Sequence, residues 1–130
     1  AALLLEISAQ RNEVKLWNAA IPEAFLVRRG QVVEHFPSQL PPLGVTTSLN
    51  MDEVQVTRNL EPGDRLYLYS DGITEARGEN GDMFGADRLA EFLTTVAVEE
   101  TPLEGLLPMI AAHTGTSTQD DDITLVEVRI

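Results

Sequence analysis

Hydrophobic and polar residues alternate over short stretches through the first half of the chain, and apolar residues recur at helical spacing in the second half. A period of two belongs to a strand with one buried face, and apolar positions at i, i+3, i+4 and i+7 belong to an amphipathic helix. The clearest alternation sets Leu66, Leu68 and Ser70 against Tyr67 and Tyr69, inside D-R-L-Y-L-Y-S-D-G-I-T-E-A from Asp64 to Ala76. Ala2 to Ser8 is apolar with polar flanks. Glu13 to Asn18 alternates Val14, Leu16 and Asn18 with Glu13, Lys15 and Trp17, and a turn at Gln10-Arg11-Asn12 predicts a hairpin. Ala24 to Arg28 and Gln31 to Phe36 flank Arg29-Gly30 and predict a second hairpin. Glu53 to Arg58 reads as a further strand, and Ile123 to Ile130, rich in β-branched residues, as the last.

Punctuation between these runs is legible too. Glu61-Pro62-Gly63-Asp64 puts Pro and Gly where a type II turn requires them. Pro37 to Gly44, with Pro41-Pro42-Leu43-Gly44, forbids regular structure and is either a fixed loop beside a site or a plain connector. After Phe84-Gly85, the spacing of Ala86, Leu89, Ala90, Leu93, Val96 and Ala97 predicts a helix. Thr101-Pro102-Leu103-Glu104 has the form of a capping box, and Leu103, Leu106, Leu107 and Ile110 form the stripe of a second helix ending at Gly115. Pro108 within that stripe predicts either a kink or a later start. Thr116-Ser117-Thr118 is a polar connector. The chain holds no internal repeat. About seven strands preceding or flanking two helices predict an α+β fold, a layered antiparallel β-sandwich flanked by helices.

Composition narrows the function classes. The 130 residues suit one domain or a part of one, and the 43% hydrophobic content is that of a globular chain. A net charge of −12 argues against nucleic acid and anionic membranes, which attract basic surfaces. The absence of cysteine excludes disulfides, zinc-thiolate sites and cysteine nucleophiles, and agrees with a cytoplasmic setting. No apolar run approaches the roughly 20 residues of a membrane helix, and no signal-peptide pattern opens the chain. Ala1 is not an initiator Met and the strand pattern starts at once, so residues 1–130 are read as the C-terminal part of a single domain. Unpaired sheet edges in such a piece would favour homodimers.

The chemistry lies in carboxylates at strand ends. Asp71-Gly72 closes the tyrosine-bearing strand, which is the position of a metal ligand with a close backbone approach, or simply of a turn. Asp120-Asp121-Asp122 opens the last strand. Like charges about 4 Å apart at an effective dielectric of about 20 repel by roughly 4 kcal/mol, which a hard divalent cation would relieve; a solvated acidic loop would screen the same repulsion with water. His35 and His113 have no partner at catalytic spacing and are assigned to structure. Arg77 to Asp82 lacks the ligand spacing of a calcium loop, and no nucleophile elbow, phosphate-cradling glycine loop or zinc helix occurs.

Taken together, L-Y-S-D-G-I-T-E-A, G-D-M-F-G-A-D-R-L and Q-D-D-D-I-T-L-V-E-V-R resemble, in order and spacing, the stage II sporulation E-type branch of the bacterial metal-dependent serine/threonine protein phosphatases. The resemblance covers nearly the whole chain and the latter two thirds of such a domain. It implies a two-ion Mn²⁺ or Mg²⁺ site at which a metal-activated water attacks phosphorus, with no catalytic side chain as nucleophile. It also implies Asp71 and Asp121 as metal ligands, Asp122 as an outer-sphere or alternative ligand, and Gly72 as the residue permitting close approach. Asp120 is left unassigned. The implied substrate is a phosphorylated regulatory protein such as an anti-sigma factor antagonist, in a signal-transduction setting with an upstream sensor or receiver domain.

The family's Gly-Asp-x-x-x-Asp strand and Asp-x-x-Gly-His-Gly turn are absent, and Asn18-Ala19-Ala20-Ile21-Pro22 stands where relatives read Asn-Ala-Gly-His-Pro. Two carboxylates cannot fill a coordination sphere, so this chain alone is expected to bind divalent metal weakly and to hydrolyse nothing. A catalytically dead, phosphatase-like protein-binding module is the alternative reading.

Overall fold

The computed structural model describes residues 1–8, 10, 12–45, 50, 54–115 and 121–130. Strands β1 (Ala2–Ser8) and β2 (Glu13–Ala19) form the first expected hairpin, and β3 (Ala24–Arg28) and β4 (Gln31–Phe36) the second. Then come β5 (Val56–Asn59), β6 (Arg65–Tyr69), a one-turn helix α1 (Asp71–Thr74), helices α2 (Ala86–Glu99) and α3 (Leu106–Thr114), and finally β7 (Leu125–Arg129). Two antiparallel sheets result, one ordered β1-β2-β5 and the other β4-β3-β6-β7. The layered α+β sandwich read from the sequence is the fold of the chain.

The alternation along β6 sorts its side chains between two cores. Leu66 and Leu68 join Val14, Leu16, Leu26 and Phe36 in the layer between the sheets. Tyr67 and Tyr69 face the other way and pack with Phe25, Leu89, Leu93 and Ile110 beneath the helices. Each such large apolar side chain contributes roughly 1.5–3 kcal/mol on burial, which fixes the register of the strand carrying them. The described helices gather over the outer face of the four-stranded sheet, through α2 and α1. On the other sheet Leu4 stays 58% exposed opposite Trp17.

Turn chemistry behaves as the sequence indicated. Gly63 has φ 91° and the Asp64 N–H donates to the Glu61 carbonyl at 3.0 Å, as a type II turn needs. Arg29 and Gly30 both have positive φ, which lets two residues close the β3–β4 hairpin.

Four expectations change. Asp71-Gly72 does not simply end a strand: one helical turn starts there, because Ile73 is drawn into the core beneath the helices. The second expected helix splits into a 3₁₀ turn at Leu103–Gly105 and α3, with no side-chain cap at either start, so Thr101 and Glu104 form no capping box. Pro108 thereby falls in the first turn of α3, where its missing N–H costs no hydrogen bond. Strand β5 starts later than Glu53, which lies outside the described residues. The Thr116-Ser117-Thr118 connector and Asp120 also lie outside them. Among the described residues no helix is long and apolar enough to cross a membrane.

Candidate functional site

Two chain segments carry the candidate acids, and a serine between strand and helix joins them. Ser70 is extended (φ −87°, ψ 156°), leaving β6 for α1. Its backbone N–H donates to the Thr124 carbonyl at 3.0 Å. Its hydroxyl donates to the Asp122 carbonyl at 2.9 Å and accepts the Thr124 N–H at 2.9 Å. The ladder between β6 and β7 is thus prolonged past Tyr69 and Leu125, to the point where Asp71 and Asp122 leave it.

Gly72 completes the join. A Cβ on Gly72 would lie 2.4 Å from the Asp122 carbonyl oxygen and 3.4 Å from the Asp121 Cβ, so only glycine lets these backbones lie this close. Asp71, Asp121 and Asp122 are all exposed. The Asp122 N–H donates to Asp121 Oδ1 at 2.7 Å, which turns one carboxylate oxygen of Asp121 back onto the chain. The structure therefore puts the segments bearing Asp71 and Asp121 side by side. Ser70 is the residue the sequence reading passed over, since its role rests on a partner more than 50 positions away.

These donors suit a hard divalent cation in kind: carboxylate and carbonyl oxygens, exposed and adjoining a glycine. In number they fall short. Among the described residues no group of three or more His, Cys, Asp and Glu side chains is placed to hold a metal ion.

Other candidates have structural employment. His35 Nδ1 lies 2.9 Å from Glu23 Oε2, with its ring edge-on to Phe25. His113 lies between Arg88 and Asp82, edge-on to Phe84. Burial and the Glu127 carboxylate push the Tyr67 hydroxyl up to about 12, and burial, then Glu23, pushes Tyr69 higher still. Burial alone would raise Asp64, but hydrogen bonds from Arg28 and the Glu61 N–H hold it below the usual carboxylate range. A cleft of about 340 Å³ opens near Arg28, Glu61, Asp64, Arg65 and Glu100, and neither Asp71 nor Asp121 lines it.

The segment Asn18 to Pro22 is organised around a buried side chain. Asn18 is buried, donating from Nδ2 to the Pro22 carbonyl at 3.1 Å and accepting the Ile21 N–H at 3.1 Å. Ala20 holds φ 62°, a left-handed conformation that an L-residue adopts at a cost. The Pro41-Pro42-Leu43-Gly44 segment lies beyond Leu40, which is buried beside Ala19.

Comparison with known proteins bears on the family and the fold. The model of the stage II sporulation protein E (SpoIIE) family matches residues 1–130. Protein IcfG of Synechocystis sp. is 28% identical over 114 residues, covering 85% of this chain and 17% of that protein. The PP2C domain of SiaA from Pseudomonas aeruginosa superposes with a TM-score of 0.81 at 25% identity, covering 98% of this chain and 50% of that one. The phosphatase domain of SpoIIE from Bacillus subtilis, presoaked with Mn, superposes with a TM-score of 0.69 at 23% identity, over 99% of this chain and 56% of that one. The chain thus spans about half the length of the solved phosphatase domains it matches.

Proposed function

The chain belongs to the SpoIIE family, and on that premise we propose that it supplies part of the metal site of a Mn²⁺- or Mg²⁺-dependent phosphoserine/phosphothreonine protein phosphatase. The observation that carries this reading is the contact of Gly72 with the Asp122 carbonyl, which sets Asp71 and Asp121 on adjoining backbones. Both carboxylates would face a cation from one side, with Asp122 available in the outer sphere. Ser70 would hold the spacing between the two arms against the mutual repulsion of their acids. Bound ions would supply Lewis acidity toward a phosphoryl group and make a water more acidic. The remaining ligands would come from another part of the domain, and the chain alone would hydrolyse nothing.

The substrate in this reading is a phosphorylated regulatory protein of the anti-sigma factor antagonist kind, in a cytoplasmic signalling pathway of the two-component or partner-switching sort. A sensor or receiver domain upstream would control the activity. The net charge of −12 supports a protein partner over nucleic acid. Ala20 and Ile21, where relatives carry Gly and His, favour the second reading, a catalytically dead docking module.

Phosphate release from a phosphoserine protein decides between them, measured with Mn²⁺ on a complete domain containing this chain. The enzyme reading expects Asp71→Asn and Asp121→Ala each to lower kcat by roughly 100-fold or more, since loss of a supporting partner alone costs roughly 10–100-fold. No Mn²⁺-dependent release from the unsubstituted domain would favour the docking module. Full activity in both variants would remove these residues from the site.

A further inference from the structure

We infer that Glu127 is a positioning residue: its buried pairing with Tyr67 and Arg65 selects the register of β7 on β6, and so where Asp121 stands relative to Asp71. The Tyr67 hydroxyl donates to Glu127 Oε1 at 2.8 Å, and Arg65 donates to the same oxygen at 3.0 Å. Arg129, two residues along β7, donates to Oε2. The Glu127 and Arg65 side chains are only 8% and 10% exposed, and Tyr67 is fully buried. Burial alone would raise the Glu127 carboxyl, but hydrogen bonds from Arg129, Tyr67 and Arg65 hold it below the usual range, so it is an anion that only accepts.

The rest of the strand chooses its register less firmly. A one-residue slip exchanges the two faces and is excluded. A two-residue slip keeps every side chain on its face and remakes the backbone ladder, and the partners of Ser70 are backbone groups that any register supplies. In the native register Leu66 faces Val128, Leu68 faces Val126 and Tyr69 faces Leu125. Slipped one way, Ile130 and Val128 take the places of Val128 and Val126 between the sheets. Slipped the other way, Val126 and Thr124 take them, and Val126 is 45% exposed, so its place tolerates a hydroxyl. Apolar matching is nearly indifferent.

Tyr67 is not. The first slip sets Arg129 opposite it, a donor facing a donor, and carries Glu127 into the place of Leu125 against the core beneath the helices. The second sets Leu125 opposite it, with no polar side-chain atom. Either way a fully buried hydroxyl loses the acceptor directly across the ladder. Fixing registry is the best-attested use of a buried ionic group. Two residues of slip move a strand by about 7 Å, whereas oxygens sharing one hard cation lie within roughly 5 Å of each other. That bearing on a metal rests on the function proposed above; the register itself does not.

Cross-strand NOEs in the isotope-labelled chain read the register without metal or activity. The unsubstituted chain should show Leu68–Val126 and Leu66–Val128 contacts and one set of β7 amides. Glu127→Gln keeps a carbonyl acceptor for Tyr67 and should keep that single set. Glu127→Leu should add a second set, with Leu68–Val128 or Leu68–Thr124 contacts, its population raised at least about tenfold by the loss of one buried hydrogen-bond partner. Glu127→Leu combined with Arg65→Met leaves no guanidinium orphaned and should show the same second set. A Glu127 that only stabilised the fold would lower the thermal midpoint and leave one register. Native contacts alone in both Leu variants, a second register in Glu127→Gln, or unfolding of both Leu variants overturns the inference. Failure of Mn²⁺ to bind the unsubstituted chain would count against the metal reading and leave these contacts unchanged.

Discussion

Replacing Gly72 by alanine sets two known effects against each other. Gly72 sits inside the single turn of α1, where alanine is favoured by about 1 kcal/mol on helix propensity. Its Cβ, however, would lie 2.4 Å from the Asp122 carbonyl oxygen. That obstacle is backbone, and the Ser70 hydroxyl holds it at 2.9 Å, so it cannot swing aside like a side-chain tip. Overpacking of this kind costs roughly 1–3 kcal/mol, and a displaced Asp122 carbonyl would also give up a hydrogen bond worth about 1 kcal/mol. Sterics outweigh propensity, and a net loss of roughly 1–3 kcal/mol is expected. At about 4 °C per kcal/mol, the thermal midpoint followed by circular dichroism should fall by roughly 4–12 °C. An unchanged or raised midpoint would mean that the two acid-bearing segments are not in contact.

Two further outcomes follow from the same packing. Ala20→Gly relieves a left-handed alanine and should stabilise the chain by about 1 kcal/mol in urea unfolding, whereas destabilisation would mean the Asn18–Pro22 turn is mis-described. Asp64 is buried against Arg28, so Asp64→Asn should cost about 2–3 kcal/mol, less than the roughly 3–5 kcal/mol of a fully broken buried pair because Arg28 keeps Glu61 at 2.9 Å. Because folding lowers the Asp64 pKa, its stabilisation is fully present above the ordinary value near 3.8 and is lost as pH falls through the depressed folded value. Acid unfolding of the Asn variant should accordingly be less steep in that range; an identical profile would contradict the pairing.

Much of the fold was legible because it rests on local patterns. The Leu and Tyr faces of β6, the Arg29-Gly30 turn and the Pro62-Gly63 turn each need only a few adjacent residues to specify them. Helix α1 was not legible, since four residues cannot display a helical period and its formation depends on a core pocket for Ile73. The capping-box signature at Thr101 misled because Pro108 suits the start of a helix better than its middle, so the α-helix begins after Gly105. At the candidate site the acids could be named from the sequence. The link that brings them together could not: Ser70 meets Asp122 and Thr124 across more than fifty residues, and Gly72 matters only because of what lies against it. His113 was read as structural for want of a partner at motif spacing, and its partners Arg88 and Asp82 come from separate elements.

Titration of the ¹⁵N-labelled chain with Mn²⁺ tests the central claim most directly, because the paramagnetic ion broadens only amides close to it. Weak binding is expected, with the amides of Asp71, Gly72, Asp121 and Asp122 lost first, and with Asp71→Asn and Asp121→Asn each suppressing the broadening at both segments. Broadening centred elsewhere on the acidic surface, or unaltered by either substitution, would contradict the account.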